Sequence, residues 1–144
     1  MTKSTQARAE AAIANLGERA TEARRRTLEA LLSVERPLSH TEIETKLATH
    51  GALDRVTLYR VLDWLVARGL IHKIEGHDRV WRFSATAVDA LGHAHFCCTA
   101  CNKVYCLTGI KPAFALSLPP GFLLGEAGLS LRGTCPDCQP VRAT

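Results

Sequence analysis

With 144 residues, 47% hydrophobic and 22% charged, the chain has a water-soluble globular balance and room for one ordinary domain or two small ones. No apolar run approaches the ~20 residues of a membrane span, and the polar, Ala-rich start holds no apolar signal core, so a cytoplasmic protein with no membrane partner is expected. A net charge of +4 permits nucleic-acid binding without requiring it, and six cysteines in a reducing compartment argue for metal ligands over disulfides.

Residues 7–17 are Ala-rich and end on Gly17, which predicts a first helix. A second is expected over residues 21–34, with Leu28, Leu31 and Leu32 on one face and Arg25 and Arg26 on a solvated one. Pro37 punctuates. Ser39-His40-Thr41-Glu42 has the form of a capping box, and the helix it opens points Ile43 and Leu47 inward and stops near Gly51. Asp54 is the expected N-cap of the next helix. Leu58, Val61, Leu62 and Leu65 follow i, i+3, i+4, i+7 and make its buried stripe, while Val56, Tyr59, Arg60 and Asp63 lie opposite. Gly69 ends it. Residues 70–75 and 79–83 read as two strands around the turn Gly76-His77-Asp78. Helix, turn, helix and hairpin in that order describe a winged helix over residues 1–84.

Residues 85–92 form an expected hinge. Residues 93–98 and 102–107 are expected to pair as strands joined through Cys98–Cys101. Residues 109–118 are an expected short helix, interrupted near Pro112 and closed by Pro119-Pro120. Residues 122–133 fit a strand in which Leu129 and Leu131 alternate. The fold class is therefore α+β: an N-terminal winged helix-turn-helix followed by a small α/β domain over residues 93–144.

Cys98, Cys101, Cys135 and Cys138 make two Cys-x-x-Cys pairs separated by one short segment. Each pair offers two thiolates to one ion, and four together suit tetrahedral Zn²⁺ in a closed structural site. Asn102 and Gly133 flank the pairs, as tight knuckle turns require. A zinc nucleobase deaminase needs His-x-Glu and Pro-Cys-x-x-Cys. Here His95 stands where that Glu belongs and the proline lies inside the pair, so that chemistry is excluded.

His93 and His95 alternate by two, so both point to one face of a strand. With Thr99-Ala100 as the turn, His93 is expected opposite Cys106, to within a register slip of a residue or two. Two imidazoles and a thiolate make a partial site for a borderline-soft ion. Cys97 shares that face and is expected to be buried. A fourth ligand from the wing is expected among His72, Glu75, His77 and Asp78, with a wing histidine coupling the two domains through the metal.

The run Asp54-Arg55-Val56-Thr57-Leu58-Tyr59-Arg60-Val61-Leu62, then Gly69-Leu70-Ile71, then His93-x-His95-Phe96-x-Cys98-x-x-Cys101-x-Lys103-Val104, then Cys135-x-x-Cys138 resembles the ferric uptake regulator superfamily from about Gly17 to Cys138. The resemblance implies a homodimeric, metal-dependent repressor whose second domain is the dimerisation domain. The departures point to a branch. Pro37, Ala94, Cys106 and Ala127 stand where iron-type members have histidine, an acidic residue, glutamate and histidine. Gly69-Leu70-Ile71-His72-Lys73-Ile74-Glu75 is similar to the zinc uptake regulators, which place a ligand at the His72 position. The regulatory ligands so implied are His72, His93, His95 and Cys106, with Glu75 and His77 as alternates. The ion implied is a second Zn²⁺, with Fe²⁺, Mn²⁺ or Ni²⁺ as alternatives.

The resemblance also carries the contacts to double-stranded DNA. Tyr59 and Arg60 would face the major groove, Tyr59 against a thymine methyl and Arg60 on phosphate or guanine. Packing against the wing is the other expectation for Tyr59. Thr57 and Arg55 would lie near phosphates, and Arg19 in an A·T-rich minor groove. The sequence shows no nucleophile–base pair and no phosphate loop, so neither an enzyme nor a small-molecule substrate is expected. The rival reading is a zinc-stapled protein-interaction module that does not read DNA.

Overall fold

Across residues 3–85, 94–107, 117–124 and 128–139, the residues that the computed structural model describes, the chain forms four α-helices and two three-stranded sheets. It divides into two units, Met1–Ala87 and Val88–Thr144.

The first unit begins with α1 (Lys3–Ala14), α2 (Glu22–Leu32), β1 (Leu38–Ser39), α3 (His40–Ala48) and α4 (Arg55–Ala67). Three of the four helices have a side-chain cap that satisfies an otherwise orphaned N–H. Thr21 Oγ1 accepts from Arg24 N–H at 3.3 Å, and Asp54 Oδ2 from Thr57 N–H at 3.3 Å. Ser39 and Glu42 make the reciprocal capping box, both bonds at 3.3 Å. Gly69 ends α4 in the left-handed region, at φ 73°, where only glycine is unstrained.

The hairpin that follows is β2 (His72–Glu75) and β3 (Trp81–Ser84). Its second strand starts and ends later than the periodicity of residues 79–83 predicts, because Arg79 adopts φ 62° inside the turn. β3 is the central strand of the order β1-β3-β2, all antiparallel. Two residues carry no period, so β1 is invisible in the sequence. The core gathers Ile13, Leu28, Leu31, Ile43, Leu47, Leu58, Leu62 and Leu65, all fully buried, with Phe83 from the sheet.

Two expectations fail in this unit. The first helix covers residues 3–14 rather than 7–17. Arg26 is not solvated: it is 8% exposed, and its guanidinium donates to the carbonyls of Leu47 at 3.1 Å, His50 at 3.2 Å and Gly51. Leu47 O also accepts His50 N–H at 3.1 Å, and His50 and Gly51 lie just past the helix, so the guanidinium binds the turn that ends α3 and complements the helix dipole. Arg25 pairs with Glu29 at 2.9 Å and Glu10 at 3.8 Å instead of facing solvent alone.

The second unit contains β4 (Ala94–Cys98), β5 (Val104–Leu107) and β6 (Leu129–Gly133), then a 3₁₀ turn at Pro136–Cys138. β4 is central, antiparallel to β5 and parallel to β6. The strand expected over residues 122–133 is shorter than its apolar pattern. Among the described residues it runs from Leu129, where β4 supplies hydrogen-bond partners. Phe122, Leu123 and Leu124 are exposed and form no strand. The helix expected over residues 109–118 and the hinge over 85–92 fall almost wholly outside the described residues. Among the described residues no helix is long and apolar enough to cross a membrane.

Candidate metal centre and nucleic-acid interface

Two knuckles bring the four cysteines of the pairs together. The first leaves β4 at Cys98, whose N–H donates to Lys103 O at 2.9 Å while Asn102 N–H donates back to Cys98 O at 2.9 Å. Asn102 takes φ 64°, a conformation asparagine tolerates better than most side chains. The second follows β6, where Cys138 N–H donates to Cys135 O at 3.1 Å. Thr99 N–H to Gly133 O, 2.9 Å, ties one knuckle to the other. Glycine leaves room there: a Cβ at position 133 would come within 3.1 Å of the Phe96 ring, which would have to shift by a few tenths of an ångström.

The four sulfurs all lie within 4.8 Å of one another, and Cys101 Sγ to Cys135 Sγ is 3.8 Å. A tetrahedral site with Zn–S bonds of about 2.3 Å has S···S edges of about 3.8 Å, so the donor set and spacing fit zinc. None of the six cysteines is in a disulfide.

The electrostatics support the same fit. Cys98 Sγ accepts Cys135 N–H at 3.4 Å, and this bond, with that from Cys101 N–H, draws the Cys98 thiol down to about 6. The Tyr105 hydroxyl donates to Cys135 and lowers its pKa, while Tyr105 itself is pushed up to about 12. The neighbouring sulfurs of Cys135 and Cys101 push Cys138 up to about 12. Four thiolates so close repel, and only a cation among them makes all four ionise together. Tyr105 had no motif to mark it; its role follows from its place on β5, next to the cluster.

The second predicted cluster is placed in part. His95 pairs with Cys106 in the β4–β5 register, so the expectation that His93 faces Cys106 is corrected. The knuckle takes five residues, 99–103, where a two-residue turn was expected, and the register shifts accordingly. His95 and Cys106 are both half-buried and offer ligand atoms within 4.8 Å of each other. His93 lies outside the described residues. Cys97 is buried, as expected. In the first unit, His72 is half-buried at the start of β2, Glu75 is exposed at its end, and His77 is half-buried in the turn. Asp78 is bound to Arg82 at 2.9 Å, and that guanidinium holds its carboxyl down to about 2.

On α4, Leu58, Val61, Leu62 and Leu65 are buried, which leaves Val56, Tyr59, Arg60 and Asp63 facing out. Tyr59 is 43% exposed and lies on the ring of His40, centroids 4.1 Å apart. Thr57 is half-buried at the start of the helix. Arg55 is exposed and pairs with Glu44 at 3.2 Å. Arg19 is exposed in the segment before α2, and its carbonyl accepts Arg24 Nη1 at 3.0 Å. Arg24 in turn lies 3.8 Å from the Trp64 ring centroid. No local pattern marks His40 as a partner of Tyr59, since their contact joins two helices.

A winged helix whose α4 turns Val56, Tyr59, Arg60 and Asp63 outward, followed by a small three-stranded unit built on a four-cysteine cluster, defines by its architecture a class of winged-helix proteins with a candidate metal site. Residues 15–109 match the model of the ferric uptake regulator family, and the chain belongs to that family. It is 37% identical over 89 residues to Transcriptional regulator FurA of Mycobacterium bovis and of Mycobacterium tuberculosis. That match covers 60% of this chain and 59% of each relative, so it spans about three fifths of their length. Among solved structures, the Helicobacter pylori ferric uptake regulator superposes with a TM-score of 0.66 at 18% identity, covering 98% of this chain and 95% of that one. A zinc uptake regulator in complex with zinc and DNA gives 0.66 at 22% identity, covering 96% of both. These likenesses establish the α+β fold.

Proposed function

We propose that the chain is a homodimeric, metal-responsive transcriptional repressor that binds A·T-rich palindromic operators when loaded with metal and controls metal-uptake genes. Family membership supports regulation. The observation that carries the choice of zinc is Cys106 opposite His95: imidazole and thiolate favour a borderline-soft ion over the harder Fe²⁺ or Mn²⁺. Ni²⁺, Fe²⁺ and Mn²⁺ are the alternatives.

Cys98, Cys101, Cys135 and Cys138 would hold the structural ion. The regulatory ligands proposed, from the sequence pattern, are His72, His93, His95 and Cys106, with Glu75 or His77 as replacements for His72. When bound, zinc supplies a cross-link between side chains that are distant in the chain. The residues supply the rest: the winged helices sample many orientations, and ligation favours one that matches successive major grooves. A tenfold gain in DNA affinity needs only about 1.4 kcal/mol of such coupling. Tyr59 and Arg60 would read bases, Thr57 and Arg55 would contact phosphates, and Arg19 would enter the minor groove. No catalytic step is proposed.

The test measures metal content and duplex affinity together across a free-zinc titration. His95→Ala should bind one fewer zinc per subunit, keep the Cys₄ zinc, and lose the zinc-dependent gain. Full retention of that gain places the sensor elsewhere. In the wild type, affinity should fall steeply with salt because phosphate contacts release counterions. A protein that binds zinc but no duplex at any salt would be the interaction module.

A further inference from the structure

Three rings of the first unit form a chain from the wing to the outward face of α4. Phe83 of β3 is 3% exposed and is paired across the sheet with Leu38 on one side and Lys73 on the other. His40 meets it edge-on, centroids 4.9 Å apart at 74°. Tyr59 lies on His40 at 4.1 Å and 39°. One end of this chain is fixed in a sheet, and the other is the exposed tyrosine.

The middle ring is held as well. His40 is the first residue of α3, next to the Ser39–Glu42 capping box, so its backbone is pinned by reciprocal bonds. Burial lowers its pKa, opposed by Glu44 of α3 and Asp63 of α4 and assisted by Arg55 of α4. A neutral imidazole is therefore the ring that Tyr59 meets near pH 7. A tyrosine alone on an exposed helix face would sample several rotamers. Laid against a fixed ring, it keeps one, and the ordering cost is met before any ligand arrives.

We propose that His40 is the positioning residue for Tyr59 in duplex recognition: its ring fixes the phenol against one base pair and so sets discrimination at that pair. His40 acts through Tyr59 and touches no base itself. This rests on the DNA-binding function proposed above. Tilted aromatic pairs contribute enough that freeing Tyr59 should weaken specific binding by about fivefold to tenfold.

The experiment uses the full-length zinc-loaded protein and three probes. These are a duplex enriched by the wild type from a randomised pool, an unrelated duplex of equal length, and copies of the first with single thymines replaced by uracil. His40→Ala should bind the enriched duplex about fivefold to tenfold more weakly. Its zinc content, its binding to the unrelated duplex and its salt slope should not change. The thymine whose methyl matters to the wild type should cease to matter in His40→Ala and Tyr59→Ala alike. His40→Phe, which restores a ring, should recover most of the affinity and the methyl dependence, whereas His40→Gln should not. Equal losses on both duplexes, no rescue by His40→Phe, or full additivity of His40→Ala with Tyr59→Ala would overturn the proposal. If the wild type enriches no duplex, the DNA reading fails and the recognition role falls with it. The ring contact is then judged separately by NMR: Tyr59→Leu should move the His40 ring-proton resonances, and unmoved resonances show that the contact itself is absent.

Discussion

In the first unit, apolar side chains from all four helices and the wing meet in one core, from Ile13 through Leu65 to Phe83. In the second, the buried apolar set among the described residues is Ala94, Cys97, Cys98, Val104 and Cys135. Two of those five are sulfur donors of the four-thiolate cluster. The first is a broad hydrophobic core, whereas the described part of the second gathers its buried side chains around four sulfurs that a metal would tie together. If the two units are held in these two ways, each should fail under its own perturbation.

The largest effect should come from Cys98→Ser. Apparent zinc binding in zinc-finger peptides reaches about 10–16 kcal/mol, as much as the whole stability of an ordinary domain. Zinc and the fold of residues 94–139 should be lost together, while far-UV circular dichroism keeps the helical signal of the first unit. A variant with unchanged zinc content and an intact second unit would contradict the Cys₄ assignment. Leu62→Ala is the converse. It should cost the first unit about 3 kcal/mol by leaving a cavity, measured by urea unfolding, with zinc content unaltered. Coupled loss of zinc would show that the two modes are not separate.

Arg26→Met keeps the volume and removes the donors to the end of α3. Losing these charge-assisted bonds should cost about 2 kcal/mol. The smallest effect is at Asp78. Its pKa is lowered from 3.8 to about 2 by Arg82, so its contribution is complete above about pH 4 and fades as the pH falls through about 2. Asp78→Asn should cost about 1 kcal/mol at pH 7 and nothing below pH ~2, read as a difference in urea midpoints.

The parts of the fold legible in the sequence were those written in local chemistry. The α4 stripe, the Ser39–Glu42 box, the Asp54 cap and the two cysteine pairs each occupy a few neighbouring residues, and the structure has them where the sequence placed them. What was missed depends on distant partners. Arg26 reads as one of two surface arginines until the carbonyls of Leu47, His50 and Gly51 arrive from the end of α3 and the turn after it. The apolar residues 122–124 look like strand, yet among the described residues of that segment Leu129–Gly133 is what pairs with a neighbour. The register of β4 and β5 was off by two because the knuckle's length is set by thiolate geometry rather than by turn propensity. His40 and Tyr105 act on groups far along the chain, and no spacing rule names them.

The parallel pairing of Ala94–Cys98 with Leu129–Gly133 has a consequence for the order of assembly. Residues 99–128 separate the two strands, and closing a loop of that length costs about 3 kcal/mol of chain entropy before any ladder bond repays it. Both strands run directly into their cysteine pairs, so an ion captured by the two pairs closes the loop at the strand ends and leaves the ladder to zip from there. Acquisition of the second unit in refolding should then be first order in free zinc at low metal and independent of it when metal is abundant. The four helices, which carry none of the proposed ligands, should form at a rate indifferent to zinc throughout.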